Sequence, residues 1–467
     1  MKPGPPTSIL PCVVTEETRF KLSRLLVAAA FPALFPALAS AADLAQIYRL
    51  AQDNDPQFIA ARATLAAGQE KAPQGLSGLL PNISLSGAST WNDNEIKLHG
   101  GSAMSNPRFN SNSYQLTLAQ PLFRWQNWIA YDQAKLQVVQ AEANFEQARQ
   151  DLILRVAQAY FDVLNAGENL QAVQANKAAI AQQLELAKKS FEVGTATITD
   201  THEAQARYDL ASAQEIAAES DLEVKRRALQ AIVGNEPGAL AALRKDAELS
   251  PPQPADMAQW VSAAEKDSYG VQVQRALADI AEREVDKQRA GHYPTVDLVA
   301  NQGHSKSYFG GNLIDTDFKN AGIQVSIPLF QGGGQVSRQR EAAANRSAAQ
   351  AGFEAARRGA ALAARQYYLG VANGLAQVKA LKAALVSSQS ALASNKLGYE
   401  VGVRINIDVL NAENQVYNTR RDLARATFDT LLAQLRLQAA VGALGEADLL
   451  RVNALLDRQR DVPTGAR

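Results

Sequence analysis

At 467 residues the chain has room for about three average domains or one very elongated one. Its 47 basic residues balance 47 acidic ones, leaving no charge excess to grip nucleic acid, and aromatics make up only 6%, which suits close-packed long helices better than one thick core. The one cysteine, Cys12, and histidines scattered at positions 99, 202, 292 and 304 exclude a disulfide framework, a cysteine nucleophile and a clustered metal site, so no cofactor or metal is expected.

The first element is an address. Lys21 and Arg24 precede an apolar run over 25–38, and Ala39-Ser40-Ala41 supplies a small-residue cleavage signature. Residues 1–41 therefore read as a secretory signal cut after Ala41. The run is too short for a membrane anchor and holds Pro32 and Pro36. No later stretch is apolar for 18 residues, so entry into a membrane requires a β-barrel.

Next come strands. Residues 82–90 alternate, with Ile83 and Leu85 set against Ser84 and Ser86, and 114–118 alternate through Tyr114, Leu116 and Leu118. Together they predict a β-hairpin over about 81–121, with an exposed loop over about 92–111. Residues 296–300 and 323–328 predict a second hairpin over about 294–329, with a loop over 305–317 rich in Asn, Gly and Ser. Strand composition alone is equally compatible with membrane strands and with soluble hairpins on a helical protein.

After each hairpin the hydrophobic period changes to about 3.5. Phe145, Ala148, Leu152, Val156, Ala159 and Val163 step by three and four, and no proline falls between residues 125 and 237. The pattern predicts helices of about 126–191 and 335–400, each roughly 100 Å long at 1.5 Å per residue. They end at Gly194 and Gly402, where the chain can reverse. Return helices follow to about Gly234 and Gly442, which gives helical hairpins over about 125–234 and 335–442.

The two halves resemble each other at an offset of 208. QAYFDVLN at Gln158 faces QYYLGVAN at Gln366, and FEVGTATITD at Phe191 faces YEVGVRINID at Tyr399. PLF recurs at Pro121 and Pro328, and PNISLSG at Pro81 is answered by PTVDLVA at Pro294. The segments 42–250 and 251–467 thus read as two tandem repeats, joined at the Pro-rich stretch 251–254. Four strands cannot close a membrane barrel, whose smallest form has eight, so association is required.

These motifs, with YRLAQDNDPQF at Tyr48 and LGEADLLRVN at Leu444, make the chain resemble the TolC family of outer-membrane channels over nearly its whole length. The resemblance implies a homotrimer in the outer membrane: a 12-stranded β-barrel continued by a periplasmic α-helical coiled-coil barrel, an α+β membrane protein. It implies an exit duct for tripartite efflux or type I secretion, opened at its inner tip by a periplasmic adaptor protein and an inner-membrane transporter. Within it, Tyr399 and Arg404 match residues that tie the inner helical hairpin to the outer one, with partners at Thr199 and Asp200. Asp408 matches the first of two aspartate rings at the constriction, whereas the second position is Asn411, so cation preference is expected but weakened. Gly194, Thr195, Gly402 and Val403 match adaptor-docking grooves.

An enzyme is disfavoured: the chain has no G-x-S-x-G elbow, P-loop or H-E-x-x-H. The rival is a periplasmic structural coiled coil without a channel. It explains the helices and leaves the strands and the repeat unexplained.

Overall fold

The computed structural model describes residues 41–94, 108–195, 197–244, 246–309 and 312–462. The leader, its cleavage signature up to Ser40 and the centre of the first hairpin loop lie outside these residues.

Three short helices open the chain: α1 (Leu44–Asn54), α2 (Pro56–Gln69) and α3 (Lys71–Ser77). Asp43 caps α1 in a reciprocal box with Gln46. Asp55 caps α2 through the Phe58 amide at 2.7 Å, and also holds the Arg155 guanidinium by two hydrogen bonds of 3.0 and 3.1 Å. Then follow β1 (Asn82–Asp93), β2 (Arg108–Phe123), α4 (Trp125–Glu192) and α5 (Ile198–Val233). After β3 (Leu240–Leu243), α6 (Met257–Asp267) and α7 (Tyr269–Ala290), the same order returns: β4 (Thr295–Phe309), β5 (Asn312–Ser326), α8 (Gly334–Glu400) and α9 (Asn406–Ala440). α10 (Glu446–Asn453) and β6 (Leu456–Val462) close the described chain. α4 has 68 residues and α8 has 67.

The strands pair antiparallel in the order β1-β2-β4-β5. They have 12, 16, 15 and 15 residues. The expected loop over 305–317 is therefore corrected: Ser305 pairs with Thr316 and Phe309 with Asn312, leaving two residues between the strands. Polarity there does not signal a loop, because one face of this sheet is polar along much of its length. Register puts Ile83, Leu118, Ala300 and Ala321 in one row, flanked by Gln120, Leu298 and Ile323 on one side and by Leu85, Leu116, Gln302 and Lys319 on the other. The opposite face carries Ser84, Thr117, Asn301 and Asn320. There Thr117 Oγ1 and Gln115 Nε2 each donate to Asn301 Oδ1 at 2.9 Å, and Asn301 Nδ2 donates to Asn320. One face with a largely apolar middle and one polar face is the pattern of a sheet set between lipid and water.

The sheet is fastened to the helices by Arg124, which precedes α4 and donates twice to Asp297 of β4, both at 2.7 Å. The main core lies where α1 packs against α4, α5 and α10, beside the contact of α9 with α4. Leu44, Ile47, Leu152, Val156, Leu229, Leu431 and Leu449 are fully buried there. Tyr160 donates to the Ala241 carbonyl at 2.7 Å, and burial pushes its hydroxyl pKa well up. In the second half, Gly374 has no side chain where Thr430 of α9 crosses it; a Cβ would strike the Thr430 hydroxyl.

Candidate gating site at the helical tips

Each long helix ends in the same two-bond cap. At the first tip Gly194 adopts φ +75°, Thr195 N–H donates to Ser190 O at 2.8 Å and Gly194 N–H to Phe191 O at 3.0 Å. At the second, Gly402 adopts φ +79°, Val403 N–H donates to Gly398 O at 2.9 Å and Gly402 N–H to Tyr399 O at 3.1 Å. A residue with a Cβ resists this left-handed turn, which is why glycine stands at both. Gly194, Thr195, Gly402 and Val403 are all exposed, as are Val193, Val401 and Ile405.

The return helices begin differently. At α5, Thr197 is the N-cap: its hydroxyl accepts from Asp200 N–H, and the Asp200 carboxylate accepts from Thr197 N–H at 3.0 Å and from its hydroxyl at 2.8 Å. Asp200 is thus engaged within its own turn. At α9 the N-cap is Ile405, which has no side-chain acceptor. Asp408, in the matching place, instead faces Arg404 at 3.7 Å. The Arg404 stem lies across Gly398, where a Cβ would sit 2.7 Å from Arg404 Cγ. Within this chain, then, Arg404 is brought to Asp408 and Asp200 to Thr197. Tyr399 is half-buried on the last turn of α8, and Thr199 is exposed on the first turn of α5.

Asn411, at the second expected ring position, accepts a hydrogen bond from Arg207 Nη2 of α5 at 3.2 Å. Beside it, Leu410 is fully buried among Ile180 of α4 and Ala211 and Tyr208 of α5. Arg207 and Gly398 are the tip residues that sequence reasoning missed. Gly398 carries a signal, since Ser190 stands in the matching place of the first half. Arg207 carries none, because its partner is 204 residues away. Among the described residues no His, Cys, Asp and Glu cluster could hold a metal ion, and no helix is long and apolar enough to cross a membrane.

The model of the family "Outer membrane efflux protein" matches residues 47–235 and 260–443. The chain is 32% identical to outer membrane protein TolC of Vibrio cholerae over 438 residues, 93% of this chain and 98% of that one. It is 32% identical to the alkaline protease secretion protein AprF of Pseudomonas aeruginosa, over 87% of this chain and 86% of the other. Among solved structures, the outer membrane protein VceC of Vibrio cholerae superposes with a TM-score of 0.74 at 21% identity, covering 85% of this chain and 96% of VceC. The chain belongs to the outer membrane efflux protein family.

Proposed function

We propose that three copies of this chain close a 12-stranded barrel in the outer membrane, and that their helices form a tunnel in the periplasm, each chain contributing two tandem repeats. The observation that carries this reading is the four-stranded sheet with one apolar face, edged by β1 and β5. Such edges and such a face are stable in lipid only when other copies complete the barrel. Leu329 and Phe330, 94% and 88% exposed in the single chain, are covered by the same association.

The chain is an outer-membrane exit duct for efflux and type I secretion, passive rather than enzymatic. Its relatives include a TolC and a protease secretion protein, so cargo is chosen by the inner-membrane transporter it meets. The exposed valines beside Gly194 and Gly402 offer an apolar surface to a periplasmic adaptor. Opening is governed at the tips, with Thr199 and Asp200 of one hairpin answering Tyr399 and Arg404 of the other. Three copies of Asp408 line the constriction beside Asn411 and confer a cation preference, which the nearby Arg404 moderates.

Single-channel recording in a planar bilayer under a salt gradient tests this. Small cation-preferring steps, with selectivity falling in Asp408→Ala, support the duct and the constriction. Unchanged selectivity removes Asp408 from that role. Correctly folded protein with no conductance favours a periplasmic structural coiled coil.

A further inference from the structure

We propose that the apolar face of the sheet carries a seat for a phosphorylated glycolipid, its phosphate on Lys319 and an acyl chain over Ala300 and Ala321; the inference rests on the barrel reading above. A groove of about 420 Å³ opens on this face, lined by Ile83, Leu116, Leu118, Ala300 and Ala321, with Lys319 at its rim. Ala300 pairs with Ala321, and Leu118 and Ile83 continue the row on β2 and β1. Two short side chains beside longer ones leave a hollow. Closing the barrel joins the edges β1 and β5 to other copies and leaves this face turned to lipid.

The level of Lys319 is that of lipid headgroups. Phe123, Trp125 and Trp128 are exposed at the helix end of the sheet, and Tyr114 and Trp91 towards the hairpin ends. From Phe123 to Tyr114, β2 has the length of a tilted membrane strand, about nine to eleven residues, with an aromatic residue at each interface. Lys319 pairs with Gln302 and Tyr114 with His304, so Lys319 lies one row inside Tyr114, on the half of the strands away from the periplasmic helices. That half meets the outer leaflet. The charges on the rows beyond are matched among themselves: Lys306 meets Asp315 at 3.7 Å, and His304 meets Asp317 at 2.9 Å. Among the described residues Lys319 has no such partner, and its exposed ammonium is the cation left for an anion from outside. A lysine at this depth keeps its stem on the apolar surface and its head in the polar layer, where lipid phosphates lie. Past it the same face presents Asn110 and Asn112 beside the rings of Tyr114 and Trp91. Amide donors and amphipathic rings fit a sugar headgroup, which favours a glycolipid over a phospholipid.

The test titrates purified full-length wild type, Lys319→Gln, Lys319→Arg and Ala321→Leu with lipid A, with lipid A stripped of its phosphates, and with phosphatidylglycerol. Bound lipid is counted by native mass spectrometry, with heat-resistant trimer and the helical melting curve as folding controls. Lys319→Gln should weaken lipid A binding about fivefold, the effect of one cation near a charged lipid surface, and Lys319→Arg should keep it. Ala321→Leu, which fills the hollow, should weaken the phosphate-free lipid as well, whereas Lys319→Gln should leave that lipid unaffected. Lipid A binding unchanged in either Lys319→Gln or Ala321→Leu overturns the seat and leaves the barrel standing. Phosphatidylglycerol held as tightly as lipid A overturns the choice of a glycolipid. A wild-type chain that forms no heat-resistant trimer overturns the barrel and the seat together.

Discussion

The two tips share their last turns and differ in how the return helix begins. Phe191-Glu192-Val193-Gly194 and Tyr399-Glu400-Val401-Gly402 end their helices through the same pair of backbone bonds. Three residues on, one return helix starts at Thr197 and the other at Ile405. A threonine hydroxyl accepts an amide proton and draws the following carboxylate into a reciprocal box; an isoleucine cannot. That one difference decides the fate of two aspartates in matching places. Asp200 stabilises the start of its own helix, and Asp408 is left to meet Arg404. The lesson is that a carboxylate's role is set by the residue at the cap, three positions before it.

The largest effect should come from breaking what the tips share. Gly194→Ala and Gly402→Ala force an L side chain into φ +75° and φ +79°, at a cost of about 1–2 kcal/mol each. Faster amide exchange over the turn, with the rest of the helix unchanged, is the measurement. Next is the cap. Thr197→Ala should cost about 1 kcal/mol in local stability, whereas Ile405→Ala, which removes no cap bond, should leave exchange in the first turn of α9 nearly unchanged. Ile405→Thr should make the second tip imitate the first. Asp408 would turn back onto its cap, the turn would gain up to about 1 kcal/mol, and cation preference would fall although no charge has been removed. Smaller still is Arg404→Gln, since an exposed pair at this spacing is worth about 0.3–0.5 kcal/mol. Its melting curve should barely move while cation preference rises, because Asp408 loses its counter-charge.

Much of this architecture is legible in the residues because it depends on local pattern. The three-and-four stepping and the missing prolines give the long helices to within a residue or two, and the φ-permissive glycines mark their ends. The strands were harder. Ser305, Lys306 and Asp315 to Asp317 read as loop by polarity, yet they pair in register. A strand with water on one face and a tilted path past the lipid on the other need not alternate cleanly at its outer end. The cap difference between Thr197 and Ile405 was open to reading, since it rests on one side chain. The Arg207–Asn411 contact was not, because it depends on how α5 lies along α9, and periodicity fixes which face is apolar without fixing which neighbour it meets. Gly398 falls between these: its lack of a side chain is visible, and the Arg404 stem that needs the space is not.

The sheet has a consequence in time. Its central pairing, β2 against β4, matches Leu118 with Ala300 and Asn112 with Lys306, across a stretch that contains both members of the first helical hairpin. The β1–β2 and β4–β5 pairings join strands adjacent in sequence and can form as soon as their residues are available. Joining them means first bringing together ends separated by about 180 residues, an entropic cost met only once α4, α5 and α7 have packed. The helices therefore act as the template on which the two hairpins are joined into one sheet, and that sheet is finished late, after the helices have packed.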